Sequence, residues 1–264
     1  MIRTPSGYTE PVSALLSSEQ HARYTRDGFV VIPGLFTPAE VARLTRWTEE
    51  VTAWPEVPGR HMVYWEPHRL EPGRQVRNRI ENFHPHHEGF RALFESSPLP
   101  DVAAALLGGP VLLFKDKINF KMPGGGGFEP HQDQQAGWSA YAPLFLTALV
   151  SIDAATHESG CLELAPGHHR RGLVGAEWRP LDEGQMTGMK FGACPTQPGD
   201  AVFFDSYVPH RSEPNGTDAP RRVLYVTYNR AADGDHRLRY FAEKRRAYPP
   251  DCEREPGREY VYRV

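Results

Sequence analysis

A histidine and an aspartate separated by one residue, His131 and Asp133, form the first chemically notable pattern in the sequence. In an extended segment alternate side chains point to the same face, so both can bind one ion while Gln132 points away. A second histidine, His210, follows a short apolar run much later in the chain. Two imidazoles and one carboxylate leave three positions open on an octahedral ion, as in the facial triad of non-haem Fe(II) oxygenases. We therefore expect these three side chains to bind one divalent metal ion.

An arginine after the second histidine strengthens this interpretation. The chain has 12 histidines, so an isolated His-x-Asp match carries little weight. Arg221 comes eleven residues after His210 and begins an apolar run. A guanidinium can pair with a carboxylate through two parallel hydrogen bonds. The position of Arg221 therefore predicts a contact with the far carboxylate of a dicarboxylate co-substrate.

Many short strands are expected to position these residues. From about residue 111 onward, apolar or alternating runs are separated by turns, and the chain contains 25 Pro and 24 Gly. This pattern is typical of a sandwich or barrel. Lys117, Asn119 and Lys121 alternate with apolar residues and therefore share one face of their strand. The predicted strands are Val111–Phe114, Lys117–Met122, Phe145–Asp153, Cys161–Leu164, Ala201–Phe204 and Val223–Tyr228.

The first hundred residues are predicted to be mainly helical. Residues 17–26 indicate a helix, and residues 29–32 indicate a short strand. Thr37 and Glu40 have the spacing of a capping box, which predicts a helix that runs towards Trp54. The remaining segments are a long loop with at most one strand over 55–85 and a helical region over 87–107.

Composition excludes several classes of function. The net charge of −3 offers no basic surface, so we expect no nucleic-acid partner. No apolar stretch is long enough to cross a bilayer, and the N-terminus lacks the apolar core of a signal peptide, so we expect a cytoplasmic protein without a membrane partner. Three scattered cysteines do not make a disulfide framework. Five lysines against 25 arginines indicate a GC-rich, bacterial coding sequence.

Taken together, these features resemble the phytanoyl-CoA dioxygenase (PhyH) family of Fe(II)- and 2-oxoglutarate-dependent oxygenases. The metal-ligand set and Arg221 match that family in order and spacing. Residues 159–170 are similar to its Gly-Leu-x-x-x-Pro-Gly-Ser-His-Arg segment, with His168 where serine is usual. Residues 27–32 and 198–200 are similar as well. The resemblance extends from about residue 18 to about residue 230.

The resemblance implies a mainly β fold with flanking helices. Its core would be a double-stranded β-helix, or jelly roll, with the N-terminal helices packed outside. Residues 1–264 would form one domain, with the helical part over about 15–108 and the core over about 109–235. The implied cofactor is Fe(II), and the implied co-substrates are 2-oxoglutarate and O2.

The resemblance also suggests which residues surround the co-substrate. Asn119 matches an asparagine that contacts 2-oxoglutarate in relatives, and Thr147 and Tyr225 are weaker candidates for the same pocket. Relatives that halogenate have a small residue in place of the metal-binding carboxylate. Because Asp133 is present, the expected reaction is hydroxylation or another oxidation, and not halogenation.

The substrate is expected to be a polar or anionic small molecule, with a role in bacterial secondary metabolism such as antibiotic tailoring. Trp138 and Tyr141 follow the metal motif and can contact a substrate, and Lys117, Lys121 and Arg79 can attract an anion. Packing and solvation are the alternative roles of these five residues. Either a monomer or a homodimer is compatible with the sequence.

The sequence is also compatible with other functions. The main alternative is oxidative ring closure on a sugar-containing natural product. A jelly-roll binding protein without catalysis would be expected to lack a ligand or Arg221, and a metalloenzyme that does not use 2-oxoglutarate would not need Arg221. The cluster His84, His86 and His87 is more typical of solvated loop residues than of a second metal site.

Overall fold

A computed structural model describes residues 16–260 and shows two antiparallel sheets that form a jelly roll. The larger sheet has seven strands in the order β1-β9-β6-β11-β4-β3-β2, and the smaller has four in the order β5-β10-β7-β8. The strands are β1 (Phe29–Ile32), β2 (Met62–Pro67), β3 (Gln75–Glu81), β4 (Val111–Lys121), β5 (Phe128–His131), β6 (Leu146–Ser151), β7 (Leu162–Leu164), β8 (Gly192–Cys194), β9 (Ala201–Asp205), β10 (His210–Ser212) and β11 (Arg221–Arg230).

The described residues also form helices, most of which precede the central strands. The predicted capping box of Thr37 with Glu40 is confirmed at the start of the second helix, and Ser17 with Gln20 forms another at the start of the first. Each box satisfies two backbone donors that the first helical turn leaves free. The helices are α1 (Ser18–Asp27), α2 (Pro38–Ala53), α3 (Glu88–Ser96), α4 (Pro98–Leu107) and α5 (Arg237–Ala247).

The two faces of the large sheet have different neighbours. On the outer face, Ile118 and Phe120 of β4 belong to a buried cluster that includes Phe90 and Leu99 of the helices. This packing buries the apolar side of each helix against the sheet. On the inner face, a second apolar cluster joins the large sheet to the small one. It contains Leu149, Val202, Phe204 and Val223 from the large sheet and Leu162, Leu164 and Cys194 from the small sheet.

Strand β4 carries the alternation that the sequence predicted over residues 117–122. Its inner-face residues Lys117, Asn119 and Lys121 lie opposite Tyr225, Val223 and Arg221 of β11 in the antiparallel register. The strand is longer than predicted and continuous, because residues 115 and 116 stay in the ladder between the two predicted runs. The inner face of β4 therefore extends one row of polar side chains through the space between the sheets.

The N-terminal part of the chain contributes more β structure than the sequence indicated. Residues 55–85 contain two strands, β2 and β3, and β3 pairs directly with β4. Strand β1 pairs with β9 at the other edge of the large sheet. The sequence predicted a helical part over about 15–108, followed by the core. In the structure, three strands of the large sheet, β1, β2 and β3, come from that first part.

Near its C-terminal end the described chain forms helix α5, which the sequence did not predict. This helix packs against β4 with Tyr240 and Phe241 buried. The N-terminal segment judged to lack a signal peptide lies outside the described residues. Within residues 16–260 no helix has the length and apolar character needed to cross a bilayer.

Candidate active site

The three predicted metal ligands come together at one end of the small sheet. His131 is the last residue of β5, His210 is the first residue of β10, and the register places them directly opposite each other. Their ring centroids are 4.3 Å apart. Asp133 lies just beyond β5, with its Oδ1 atom 3.9 Å from Nε2 of His210. Antiparallel pairing of two short strands therefore builds the triad.

Hydrogen bonds orient each of these three side chains. Nδ1 of His131 lies 2.6 Å from the carbonyl oxygen of Glu129, and Nδ1 of His210 lies 2.9 Å from that of Val208. A carbonyl only accepts hydrogen bonds, so each Nδ1 carries the proton and each Nε2 keeps a free electron pair. The Thr147 hydroxyl donates to Oδ2 of Asp133 at 3.0 Å, and Oδ1 remains on the side of His210.

The electrostatic environment favours the protonation states that metal binding requires. Burial and the neighbouring His210 lower the pKa of His131 to about 3. Burial also lowers the pKa of His210. For Asp133, burial opposes ionisation, but the neighbouring His210, Lys117 and His131 outweigh it and the pKa is lowered. Metal ligands must be neutral imidazoles and an ionised carboxylate, so both conditions are met.

The donor set fits an Fe(II) ion. One ligand atom from each of His131, Asp133 and His210 lies within 4.8 Å of the others. Over residues 16–260 this is the only group of three or more His, Cys, Asp or Glu side chains that is arranged for a metal ion. Two imidazoles and one carboxylate suit iron and leave coordination positions for a chelating co-substrate.

Two cations lie farther inside, where β4 and β11 run side by side. Arg221 is 3% exposed and its Nε donates to the carbonyl oxygen of Ser159 at 3.1 Å. Lys121 lies opposite it in the register and donates to the carbonyl oxygens of Gly160 and Glu213. Burial and the charge of Arg221 lower the pKa of Lys121 to about 7. A carboxylate at this point would stabilise both cations.

The remaining co-substrate candidates lie along the same inner face. Asn119 is 3% exposed, and its Oδ1 atom is buried without a hydrogen-bond partner. Because the two ends of an amide can exchange by rotation, Asn119 can present either a donor or an acceptor to a ligand. Tyr225 lies opposite Lys117, whose ammonium is 4.5 Å from the centre of the tyrosine ring. Thr147 contacts Asp133 directly, so its position is that of a support for the metal ligand.

A cavity of about 460 Å³ opens beside the triad. Of the predicted substrate residues, Arg79, Lys117 and Trp138 line it. Tyr141 lines a neighbouring cavity and donates a hydrogen bond to Glu243. Lys121 does not line either cavity and lies beside Arg221 as described above. The structure therefore brings three of the five predicted substrate residues to the cavity next to the metal ligands.

A buried charge cluster borders this cavity and was not predicted. Glu81 is fully buried, and its Oε1 atom lies 2.9 Å from Nε of Arg79 and 3.9 Å from Nζ of Lys115. Lys244 of α5 donates to the other oxygen of Glu81. Burial opposes the ionisation of Glu81, but Lys115, Lys244 and Arg79 together lower its pKa. The alternation of Arg79 and Glu81 in the sequence was the one local signal, because it places both side chains on the same face.

The histidine cluster of the N-terminal part has structural partners. His87 is buried, and its Nδ1 accepts the backbone N–H of Phe90 at the start of α3. His84 Nε2 lies 2.7 Å from a carboxylate oxygen of Glu95. Helix capping and ion pairing therefore account for these two side chains.

Sequence comparisons agree with this geometry. The profile of the family described as Phytanoyl-CoA dioxygenase (PhyH) matches residues 24–223. A methylphosphonate hydroxylase of Gimesia maris is 39% identical over 240 residues, which cover 90% of this chain and 90% of that protein. A 2-aminoethylphosphonate dioxygenase of an uncultured bacterium is 36% identical over 258 residues, which cover 92% of this chain and 93% of that protein.

A structural comparison also indicates a 2-oxoglutarate-dependent oxygenase. The crystal structure of EctD from S. alaskensis with 2-oxoglutarate and 5-hydroxyectoine superposes with a TM-score of 0.71 and 26% identity. The match covers 83% of this chain and 78% of EctD. That structure holds 2-oxoglutarate in the same fold, which agrees with the Fe(II) and 2-oxoglutarate dependence inferred from the triad.

Proposed function

This chain belongs to the phytanoyl-CoA dioxygenase family, and we propose that it hydroxylates a small organophosphonate in a reaction that consumes 2-oxoglutarate and O2. The class of enzyme follows from the family and its relatives: it is an Fe(II)- and 2-oxoglutarate-dependent dioxygenase. The substrate class is our proposal. It is supported by two relatives named for phosphonates and by the charges in the cavity beside the triad.

The observation that carries the proposal is the cationic inner end of the cavity. Arg79, Lys115 and Lys117 line it, and Arg79 and Lys115 are 4% and 6% exposed. Cations at buried positions interact strongly with an anion, because little water screens them. Lys115, Arg79 and Lys244 share the carboxylate of Glu81. A phosphonate carries up to two negative charges and three acceptor oxygens, so it can pair with several of these cations together.

The outer part of the cavity has the opposite charge. Glu66 is half-buried and accepts the backbone N–H of Gly126 at 3.2 Å, and Glu129 is exposed. Both residues line the same cavity as the cations. An ammonium group attached to the phosphonate would meet these carboxylates. An aminoalkylphosphonate is therefore the second substrate to compare with methylphosphonate.

Each group of residues has a distinct part in the reaction that we propose. His131, Asp133 and His210 would hold the iron, and Arg221 with Lys121 would hold the far carboxylate of 2-oxoglutarate. When bound there, the iron would supply the activation of O2, with 2-oxoglutarate converted to succinate and CO2; one oxygen atom of O2 enters succinate and the other enters the product. Lys117 and Arg79 would place the phosphonate so that the C–H bond next to phosphorus faces the triad.

The alternative functions and the metabolic role expected from the sequence differ in their support. Ring closure and a non-catalytic scaffold are not favoured by the relatives. A role in antibiotic tailoring stays a prediction. Hydroxylation of a phosphonate is compatible with such a role and equally with the breakdown of phosphonates as nutrients.

The decisive experiment is a turnover assay with a panel of substrates. Purified protein is supplied with Fe(II), ascorbate and 2-oxoglutarate, and with methylphosphonate, 2-aminoethylphosphonate, ectoine or proline. We expect one succinate for each hydroxylated phosphonate, with the product followed by ³¹P NMR, and no product from the two compounds without phosphorus. Hydroxylation of ectoine or proline without hydroxylation of any phosphonate would overturn the proposed substrate class.

A further inference from the structure

A tryptophan outside the predicted site lies at the boundary between two cavities. Trp178 lines the cavity next to the triad and also a second cavity of about 540 Å³. All five tryptophans of the chain lie within the described residues, and Trp178, at 45%, is the most exposed of them. A large apolar side chain in a partly open position beside a polar cavity is available to contact a ligand.

The backbone of Trp178 adopts a conformation that its side chain disfavours. Its φ is +64°, in the left-handed region where a bulky side chain is strained. The surrounding structure holds this conformation in place. Strained residues of this kind cluster at binding and catalytic sites, because the fold must specify their position.

The indole packs onto a glycine that follows the metal-binding segment. Gly137 also has a positive φ, of +72°. A Cβ atom at Gly137 would lie 2.3 Å from Cζ2 of Trp178, so the indole fills space that any other residue would occupy. The absence of a side chain at residue 137 is thus a requirement for the observed indole position.

Two buried glutamines attach the loop of Trp178 to the metal-binding segment. Gln132, between the two metal ligands, donates to the carbonyl oxygen of Gly172 at 2.8 Å and accepts the N–H of Val174 at 2.8 Å. Gln135 donates to the carbonyl oxygens of Ala176 and Arg179 at 2.9 and 2.7 Å. The backbone N–H of Trp178 donates to the carbonyl oxygen of Gln135 at 2.8 Å.

We propose that Trp178 is a specificity-determining residue whose indole separates the two cavities and limits the size of the group that the substrate anion carries. The substrate class in this inference rests on the proposed function. The two cavities also share the lining residues Lys115, Ala136 and Tyr248. Removal of the indole would therefore join the two cavities into one larger space. The indole also restricts the access of water to the region beside the triad.

The test uses Trp178→Phe, Trp178→Ala and Trp178→Gly with phosphonates from methyl to benzyl. We expect kcat/KM for benzylphosphonate, relative to methylphosphonate, to rise about 10-fold or more in the alanine variant, with the phenylalanine variant between it and the wild type. Leu173→Ala is the matched control, because Leu173 is exposed in the same loop and lines neither cavity. Glycine tolerates a positive φ, so Trp178→Gly is expected to melt no lower than Trp178→Ala.

The outcomes separate this inference from the proposed function. An unchanged size preference in the alanine and glycine variants, both folded, would overturn the role of Trp178. The panel also contains carboxylates and sulfonates of equal length. If only these are hydroxylated, the phosphonate proposal fails, and the shift in size preference still decides the role of Trp178. If no compound reacts, the role of Trp178 is tested by the rate of succinate release in the absence of substrate. A several-fold higher rate in Trp178→Ala supports a role of the indole in restricting the access of water to the triad, and an unchanged rate contradicts that role.

Discussion

The metal triad and the buried charge cluster lie on two sides of one cavity, but the chain builds them differently. The triad comes from the ends of two paired short strands, and His131 and His210 are each oriented by the backbone carbonyl two residues before them. The charge cluster needs three distant segments, because Glu81 lies on β3, Lys115 on β4 and Lys244 on α5. The proposed metal site therefore depends mainly on one pair of strands, whereas the proposed contacts to the substrate depend on the packing of three elements.

This difference has an energetic counterpart. The triad places its charges where a bound metal ion is expected to compensate them, so changes there should affect activity more than folding. In the cluster, the ionised Glu81 compensates several buried cations within the protein itself. Removing one partner from such a group leaves buried charge without compensation, so changes there should affect folding strongly.

Substitution of a triad ligand is expected to have the largest effect on activity. His210→Ala or Asp133→Ala should reduce turnover roughly 1000-fold or more, because the bound metal contributes several kcal/mol to the reaction. Thermal unfolding of the metal-free protein should change little. Anaerobic Fe(II) and 2-oxoglutarate should give a visible charge-transfer band in the wild type and none in His210→Ala.

A milder variant tests how the triad is oriented. Thr147→Val removes the hydrogen bond to Asp133 while keeping the shape of the side chain, and it should weaken iron binding about 10- to 100-fold. For the ligand variants themselves, full activity in His210→Ala or Asp133→Ala would show that another group binds the iron.

Substitution of Glu81 is expected to have the opposite profile, with the main effect on stability. Glu81→Gln leaves Lys115, Lys244 and Arg79 without their shared carboxylate and should cost about 3–5 kcal/mol in the free energy of unfolding, measured with urea. The pKa of Glu81 is lowered in the folded state. Its contribution to the free energy of unfolding is therefore complete above the unfolded-state pKa of 4.5 and is lost as the pH falls below 4.5. The difference between wild type and variant should therefore narrow in acid, and a difference that grows in acid would contradict this assignment.

Arg221 should affect the co-substrate selectively. Arg221→Ala removes a charge-assisted contact and should raise the KM for 2-oxoglutarate about 100-fold, with a smaller change in the KM for the phosphonate. The neighbouring Arg222 is a matched control, because it pairs with Asp153 on the outer side of the sheet. Equal effects of Arg221→Ala and Arg222→Ala on the two KM values would exclude Arg221 as the co-substrate contact.

The smallest effect is expected far from both regions. Thr37→Ala removes the side chain that caps α2 and should lower the free energy of unfolding by about 1 kcal/mol. Turnover below the melting transition should stay at the wild-type value. A large loss of activity in this variant would mean that α2 contributes more to the site than its position indicates.

The sequence predicted well what depends on neighbours along the chain. The capping box at Thr37 was predicted correctly, because it is a pattern of two residues three positions apart. The alternation in β4 and the His-x-Asp pair at His131 have the same local character. Arg221 was predicted from its place at the start of an apolar run, and the family resemblance added the jelly roll.

The sequence did not reveal what depends on distant contacts. Strand β3 turns Arg79 and Glu81 inward, so its charged residues gave it the appearance of a loop. Helix α5 buries Arg237 against Asp116, a contact 121 residues apart in the chain. Trp178 had no motif of its own, because its importance comes from contacts with Gln135 and Gly137.

The most direct test of the account is an anaerobic titration of the Fe(II) and 2-oxoglutarate complex with methylphosphonate. We predict that methylphosphonate perturbs the charge-transfer band of the wild type, because it binds beside the triad. In Lys117→Gln the perturbation should need about 10-fold more methylphosphonate, while Lys190→Gln, at an exposed position outside both cavities, behaves as the wild type. A band that methylphosphonate and 2-aminoethylphosphonate leave unchanged, or an equal response of wild type and Lys117→Gln, would contradict the account.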